Sequence, residues 1–340
     1  MKKQTIKPKI SKQIALLRSL IRDGIKKITM REQCTLDPDQ AVAWQAALVL
    51  EGKRSVITRN QNKLSKSKGI NWINRGLTLS PANEADPYFV RTFNNCPFAT
   101  DACILACVGA KTGQSKLPSS KIARIGRTLA LNHDPRLFIE LIKIEIDQEN
   151  LERKKLEWIT GEEWWIAFRV NVASDNIGLA DTLSNAYAYN DPVKFYDYTV
   201  IPKAMTQNLG YVERVYSRKD STNEGPCLDL LDRGYGIAAV FAGDLPDTWK
   251  GYPVIDGDVN DLWFTRKPSE GGFVVGLKVK GSNAQKQACI DSGFAIETPI
   301  ARVAIHKTGS PENDQRLFAE REQFVADLDS MDDIEADQFA

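Results

Sequence analysis

Beyond residue 160 the chain breaks into short apolar runs that each close on polar residues: WWIAFRVNV (164–172), VKFYDYTV (193–200), VERVYSRKD (212–220), GIAAVFAG (236–243), YPVID (252–256) and FVVGLKVKG (273–281). Runs of this length, closing on polar residues, predict strands. Helix-sized segments stand between several of them, IGLADTLSNAYAYN at 177–190 and NEGPCLDLLDRG at 223–234. Alternation of this kind predicts an α/β fold with a mainly parallel sheet, open or closed into a partial or complete TIM-like barrel. Upstream, TLDPDQAVAWQAALVL (35–50) has apolar residues at helical spacing behind Asp37 or Asp39 as caps, and FVRTF (89–93) reads as a short strand. Ser119 or Ser120 would cap a helix through Leu131. Asp134 and Pro135 would open another, with Leu137, Phe138, Leu141, Ile142 and Ile146 on its apolar face.

A net charge of +1 over 340 residues conceals a polarised chain. Residues 1–31 carry ten Lys or Arg against one Asp, whereas residues 310–340 carry ten acidic residues against two Arg. The expected organisation is a basic N-terminal extension (1–75), helical in part, an α/β domain (76–309) with a Cys-rich loop at 94–113, and an acidic tail (310–340). A basic stretch at 52–76 contains Trp72, which either offers a stacking surface or anchors the segment to the core. No run approaches the roughly 18 apolar residues of a membrane span, and the charged first 31 residues do not read as a signal sequence. Six cysteines in 340 residues are too sparse for a disulfide framework. Reduced thiols and a cytoplasmic location, without membrane partners, are expected.

Three of those six cysteines, Cys96, Cys103 and Cys107, fall within the run NNCPFATDACILACVGAKTGQ with the spacing C-x6-C-x3-C. Thiolates this close can converge on zinc or on a 4Fe-4S cluster, although the spacing matches no standard zinc ribbon. On one helical turn Cys103 and Cys107 would share a face. The bland alternative is three reduced, partly buried small residues. His133, twenty-six positions after Cys107, is the available fourth ligand, and a loop-end histidine without function is its simpler reading. In parallel α/β folds chemistry gathers at the carboxyl ends of strands. That rule selects Asp175 after the second run, then Asp197, Arg218, Lys219, Asp256, Asp258 and Asp261. Each carboxylate has a rival structural role as helix cap or turn residue. With two histidines and no GxSxG, Walker or GxGxxG motif, several common enzyme classes drop out.

The blocks CPFATDACILACVGAKTGQ, KIARIGRTLA, FRVNVASD, FYDYTVIPKAM, YSRKDSTNEG and LPDTWKGYPVIDGDVNDLWF occur in order between about Gly76 and Gly281. Together they resemble a phage and mobile-element family of the gene product 88 type, which implies a phage protein acting in the host cytoplasm. A further resemblance is to phage transglycosylases that exchange guanine in DNA for a 7-deazaguanine base and so shield the genome from restriction. It implies Asp175 as nucleophile, Asp197 and Asp258 as base-reading or proton-transfer groups, and Arg124, Arg127, Lys203 and Arg218 on the DNA or RNA backbone. Tyr196 and Tyr198 would stack on the flipped base. Three cysteines in a loop ahead of an α/β barrel also look like the iron-sulfur site of radical S-adenosylmethionine enzymes, where a fourth iron position stays open for the cofactor. The usual C-x3-C-x2-C spacing and a glycine-rich methionine-binding run are absent. A third reading is a nucleic-acid-binding protein with a structural zinc site and no chemistry.

Overall fold

The computed structural model describes residues 38–59, 64, 70–88, 94–187, 192–207, 210–266 and 271–298. The basic and acidic ends, the FVRTF run and His306 therefore lie outside the described residues.

Seven parallel strands form the body of the sheet: β1 (Trp72–Gly76), β2 (Trp165–Arg169), β3 (Val193–Thr199), β4 (Val212–Ser217), β5 (Gly236–Ala242), β7 (Tyr252–Asp256) and β8 (Phe273–Lys278). A short β6 (Thr248–Trp249) pairs antiparallel with β7, and β9 (Ala295–Glu297) adds to the carboxyl end of β5. The order is β1-β2-β3-β4-β5-β8-β7-β6. From β1 to β5 each new strand is laid beside the last in one direction. Beyond β5 the order turns back, with β8 beside β5 and β7 and β6 outside it, and among the described residues the path stays open.

The helices that fill the core, α5, α6 and α8 among them, pack on one face. Before β2 come α1 (Pro38–Leu50), the short α2 (Asp101–Leu105) and α3 (Val108–Lys111), then α4 (Pro118–His133) and the 26-residue α5 (Pro135–Thr160). Asp134 caps α5 through the Leu137 N–H at 3.0 Å, with Pro135 at its first position, as the sequence predicts. For α4 the cap differs: Pro118 occupies the first turn and Leu117 is the N-cap, so Ser119 and Ser120 fall inside the helix. Phe138, Ile142 and Ile146 of α5 meet Ile73, Ile166 and Phe168 of the sheet, and α6 (Ile177–Asn185) adds Leu179, Ala180 and Leu183. Each such side chain contributes about 1.5–3 kcal/mol by burial. Further along, α8 (Glu224–Asp232) covers Ile237, Ala239 and Phe241. Val212 and Tyr216, which point to the same side of β4, belong to these two clusters in turn, so one face carries both. Val56, Ile57 and Ile73 all enter the core, so the α/β body begins upstream of residue 76.

The opposite face holds a different core. Tyr196, Tyr198, Val215, Ala238 and Val275 pack against Leu262 and Trp263, with Trp72 and Phe264 alongside. Asp261, fully buried, accepts hydrogen bonds there from Arg169 (3.1 Å), Tyr196 (3.3 Å) and Tyr198 (2.8 Å). The Arg169 guanidinium also lies 4.3 Å from the Tyr198 ring centre. Among the described residues no helix is long and apolar enough to cross a membrane.

Candidate functional site

The thiol segment leaves the carboxyl end of β1 and lies across the ends of the neighbouring strands. Its path is fixed by backbone and amide contacts. The Asn95 side chain donates to the Ser80 carbonyl at 2.8 Å, and the Asn95 carbonyl accepts from the Asp175 N–H at 2.8 Å, which ties the segment to the loop after β2. Thr100 caps α2 by accepting from the Cys103 N–H at 3.2 Å. Gly109 makes the close approach possible: a Cβ there would stand 2.4 Å from the Cβ of Ala173 and 3.7 Å from the Cys107 Sγ. The Cys96 thiol reaches the same residue, 3.9 Å from the Ala173 carbonyl. On the far side, Gln285 of α9 (Asn283–Asp291) donates to the Lys111 carbonyl at 3.1 Å. The segment thus spans from the β1–β2 corner to the helix that follows β8.

Cys103 and Cys107 do not share a helical turn, because α2 ends at Leu105 and Cys107 is the N-cap of α3. Cys103 and Cys107 nevertheless both disfavour a thiolate at Cys96, and Cys107 disfavours one at Cys103. Burial, helped by the neighbouring thiols and Asp175, pushes Cys96 up to about 12 and Cys103 up to about 11. Cys107 is raised too, chiefly by burial and against the N–H groups of Gly109 and Ala110. Without a metal the three are thiols. Among the described residues no group of three or more His, Cys, Asp or Glu is closed up so as to hold a metal ion as it stands. His133 ends α4, nine residues beyond Arg124, the α4 residue that interacts with Cys107, and so about 13 Å further along the helix axis.

Asp175 is the carboxylate beside the thiols. It is 7% exposed, and burial raises its pKa against the pull of the Val200 N–H, Thr199, Arg214 and Lys219. Its Oδ2 accepts from the Val200 N–H at 3.0 Å, whereas its buried Oδ1 has no hydrogen-bond partner. Lys219, after β4, interacts with Cys103 and Asp175 and donates to the Phe98 carbonyl at 3.1 Å. Around these polar groups the thiol segment exposes Phe98, Ile104, Leu105, Val108 and Leu117.

The other residues singled out by sequence have partners of their own. Asp197 is sealed, accepting from Asn171 at 2.5 Å and from the Tyr198 N–H at 2.9 Å, and burial pushes it up to about 7. Asn171 in turn accepts from Ser174 (2.8 Å) and the Asn176 N–H (2.9 Å), so Asp197 anchors the loop that carries Asp175. Asp258 accepts from the Lys278 N–H at 2.8 Å and pairs with Lys280 at 3.1 Å, in the turn between β7 and β8. Arg124 forks onto Glu84 at 2.6 and 3.0 Å, and Arg218 onto Glu224 and the carbonyls of Gly293 and Phe294. Arg127 is drawn down to about 10 by burial. Lys203, on α7 (Pro202–Thr206), is exposed. Tyr196 and Tyr198 are buried against Trp263 and are not open to a base. Sequence reading missed Asn95 and Asn171; the Asn-Asn pair before Cys96 was the available signal.

No curated protein and no solved structure matches the chain. The family model described as gene product 88 matches residues 50–298, which takes in every described strand and the whole thiol segment. The chain belongs to the gene product 88 family, a family of phage gene products.

Proposed function

We propose that this phage protein is an iron-sulfur enzyme of the S-adenosylmethionine type, with Cys96, Cys103 and Cys107 holding a 4Fe-4S cluster at the carboxyl edge of the sheet. The observation that carries the reading is the tying of the three-cysteine segment, through Asn95, Cys96 and Gly109, to the loop after β2 in which Asp175 keeps an oxygen without a hydrogen bond. The donor set fits: three soft sulfur ligands suit iron-sulfur or zinc chemistry, and a set of three leaves a position that a bound cofactor would fill. Loading would displace the thiol protons, and cysteine sites of this kind need not be closed before the metal arrives.

Cys96, Cys103 and Cys107 would hold the cluster, which when bound and reduced would supply an electron to the sulfonium of S-adenosylmethionine. The chain's own groups suit the amino-acid end of such a ligand. Asp175 offers a carboxylate oxygen to its ammonium, and Lys219 keeps donors free beyond the one spent on Phe98 to receive its carboxylate. Asp197 and Asn171 hold the Asp175 loop in place from behind. A nucleobase transglycosylase has less to rest on, because Asp197 is sealed and Asp258 is committed to its own turn. A nucleic-acid clamp would lean on Lys203, since Arg124 and Arg218 already serve Glu84 and Glu224.

The test is turnover. Protein loaded anaerobically with iron and sulfide, reduced with dithionite and incubated with S-adenosylmethionine should release methionine, measured by mass spectrometry, and Cys103→Ser should not. Iron-loaded protein that releases no more methionine than Cys103→Ser would overturn the reading.

A further inference from the structure

The longest helix, α5, turns one side to the sheet through Phe138, Ile142, Ile146, Glu149 and Arg153. Its opposite side exposes Ile144, Leu151 and Trp158, spaced seven residues apart, with Trp158 86% exposed. Seven-residue spacing keeps side chains on one stripe of a helix, here about 21 Å long. Large apolar residues in a row on a surface helix are a feature of interfaces and are costly to leave in water. The stripe's polar members are ordered by sign: Asp147 lies toward its amino end, Lys154 and Lys155 toward its carboxyl end, and all three are exposed.

We propose that this stripe is a self-association surface, on which α5 of a second copy of the chain docks antiparallel about Leu151. In that register Leu151 meets Leu151 of the other copy, Ile144 meets Trp158, and Asp147 meets Lys155, each of the last two pairs occurring twice by symmetry. A small side chain faces a large one, and opposite charges face each other. The parallel arrangement would instead set Asp147 against Asp147 and Lys155 against Lys155, which is repulsive. The charge order of the stripe is therefore complementary to itself only when reversed, and this singles out a second copy as the occupant. The proposal is independent of any cluster at the thiol segment.

Sedimentation of the full chain over a concentration series should show a shift from the mass of one chain to twice that mass. Leu151→Glu, at the symmetry axis, should move the midpoint at least about tenfold toward higher concentration, equivalent to roughly 1.4 kcal/mol. Asp147→Lys should weaken association, and adding Lys155→Asp to it should restore it by recreating the pair with its signs exchanged. Because these residues are on the surface, circular dichroism should be unchanged in every variant. Under mild oxidation Leu151→Cys should give a disulfide-linked dimer above the wild-type background, and Ile144→Cys should not. A chain that stays monomeric throughout, a dimer indifferent to Leu151→Glu, or efficient self-crosslinking of Ile144→Cys would each overturn the proposal.

Discussion

Asp261 and Asp175 are both buried carboxylates, and the protein treats them in opposite ways. Asp261 sits on the face of the sheet away from the helices, where Arg169, Tyr196 and Tyr198 donate to it. Asp175 sits at the strand ends, where Oδ2 is held by the Val200 N–H, Thr199, Arg214 and Lys219 favour its charge, and Oδ1 has no hydrogen-bond partner near Cys96 and Cys103. Burying a polar atom without a partner costs free energy, so folds keep few such atoms. The first carboxylate is consumed by the structure. The second keeps one oxygen outside any hydrogen bond.

The sharpest way to break this contrast is to remove each acid in turn. Asp261→Asn leaves the Arg169 charge uncompensated in the interior and should cost about 3–5 kcal/mol, read as a lowered denaturant midpoint. A loss below about 1 kcal/mol would mean that Asp261 is as dispensable to folding as the account makes Asp175.

Next in size is a pH effect at Asp197. Burial raises its folded-state pKa to about 7, above the roughly 3.9 of an unfolded aspartate, so folding favours the protonated form. Its contribution is complete below the unfolded value, declines as pH rises and is gone above about 7. Between pH 5 and 7 the chain should therefore lose on the order of 2 kcal/mol that Asp197→Asn does not lose. Parallel stability curves for the two proteins over that range would contradict the assignment.

The smallest stability change is expected at Asp175. Asp175→Asn removes a buried charge with an unpartnered oxygen and should leave folding stability within about 1 kcal/mol of the parent, while methionine release falls at least about tenfold. Full turnover by this variant would reduce Asp175 to a loop-holding residue.

The same contrast explains what the sequence could reveal. Strands β2, β3, β5 and β8 are buried on both faces and show as apolar runs, which is why they are legible in composition alone. Strand β1, WINRG, is not legible. Asn74 is buried because Tyr196 donates to it at 3.0 Å, and Arg75 is taken up by Glu149 at 2.8 Å, so polar residues fill strand positions through partners far away in the chain. Long-range pairing hides the true employment of Arg124 and Arg218 for the same reason: Glu84 lies forty positions from Arg124, and no local pattern announces it. The thiols were legible by crowding and Asp175 by its place after a strand. Their common neighbourhood was not, because it depends on Gly109 meeting Ala173 and on Asn95 meeting Asp175.

The most direct measurement is a metal count on anaerobically reconstituted protein, made on the parent chain, on Cys96→Ser, Cys103→Ser and Cys107→Ser, and on Cys227→Ser, whose thiol is buried on the core side of α8. The account predicts about four irons per chain in the parent and in Cys227→Ser, and near none in the other three. A single zinc in the parent, or iron that survives each of the three substitutions, would contradict it.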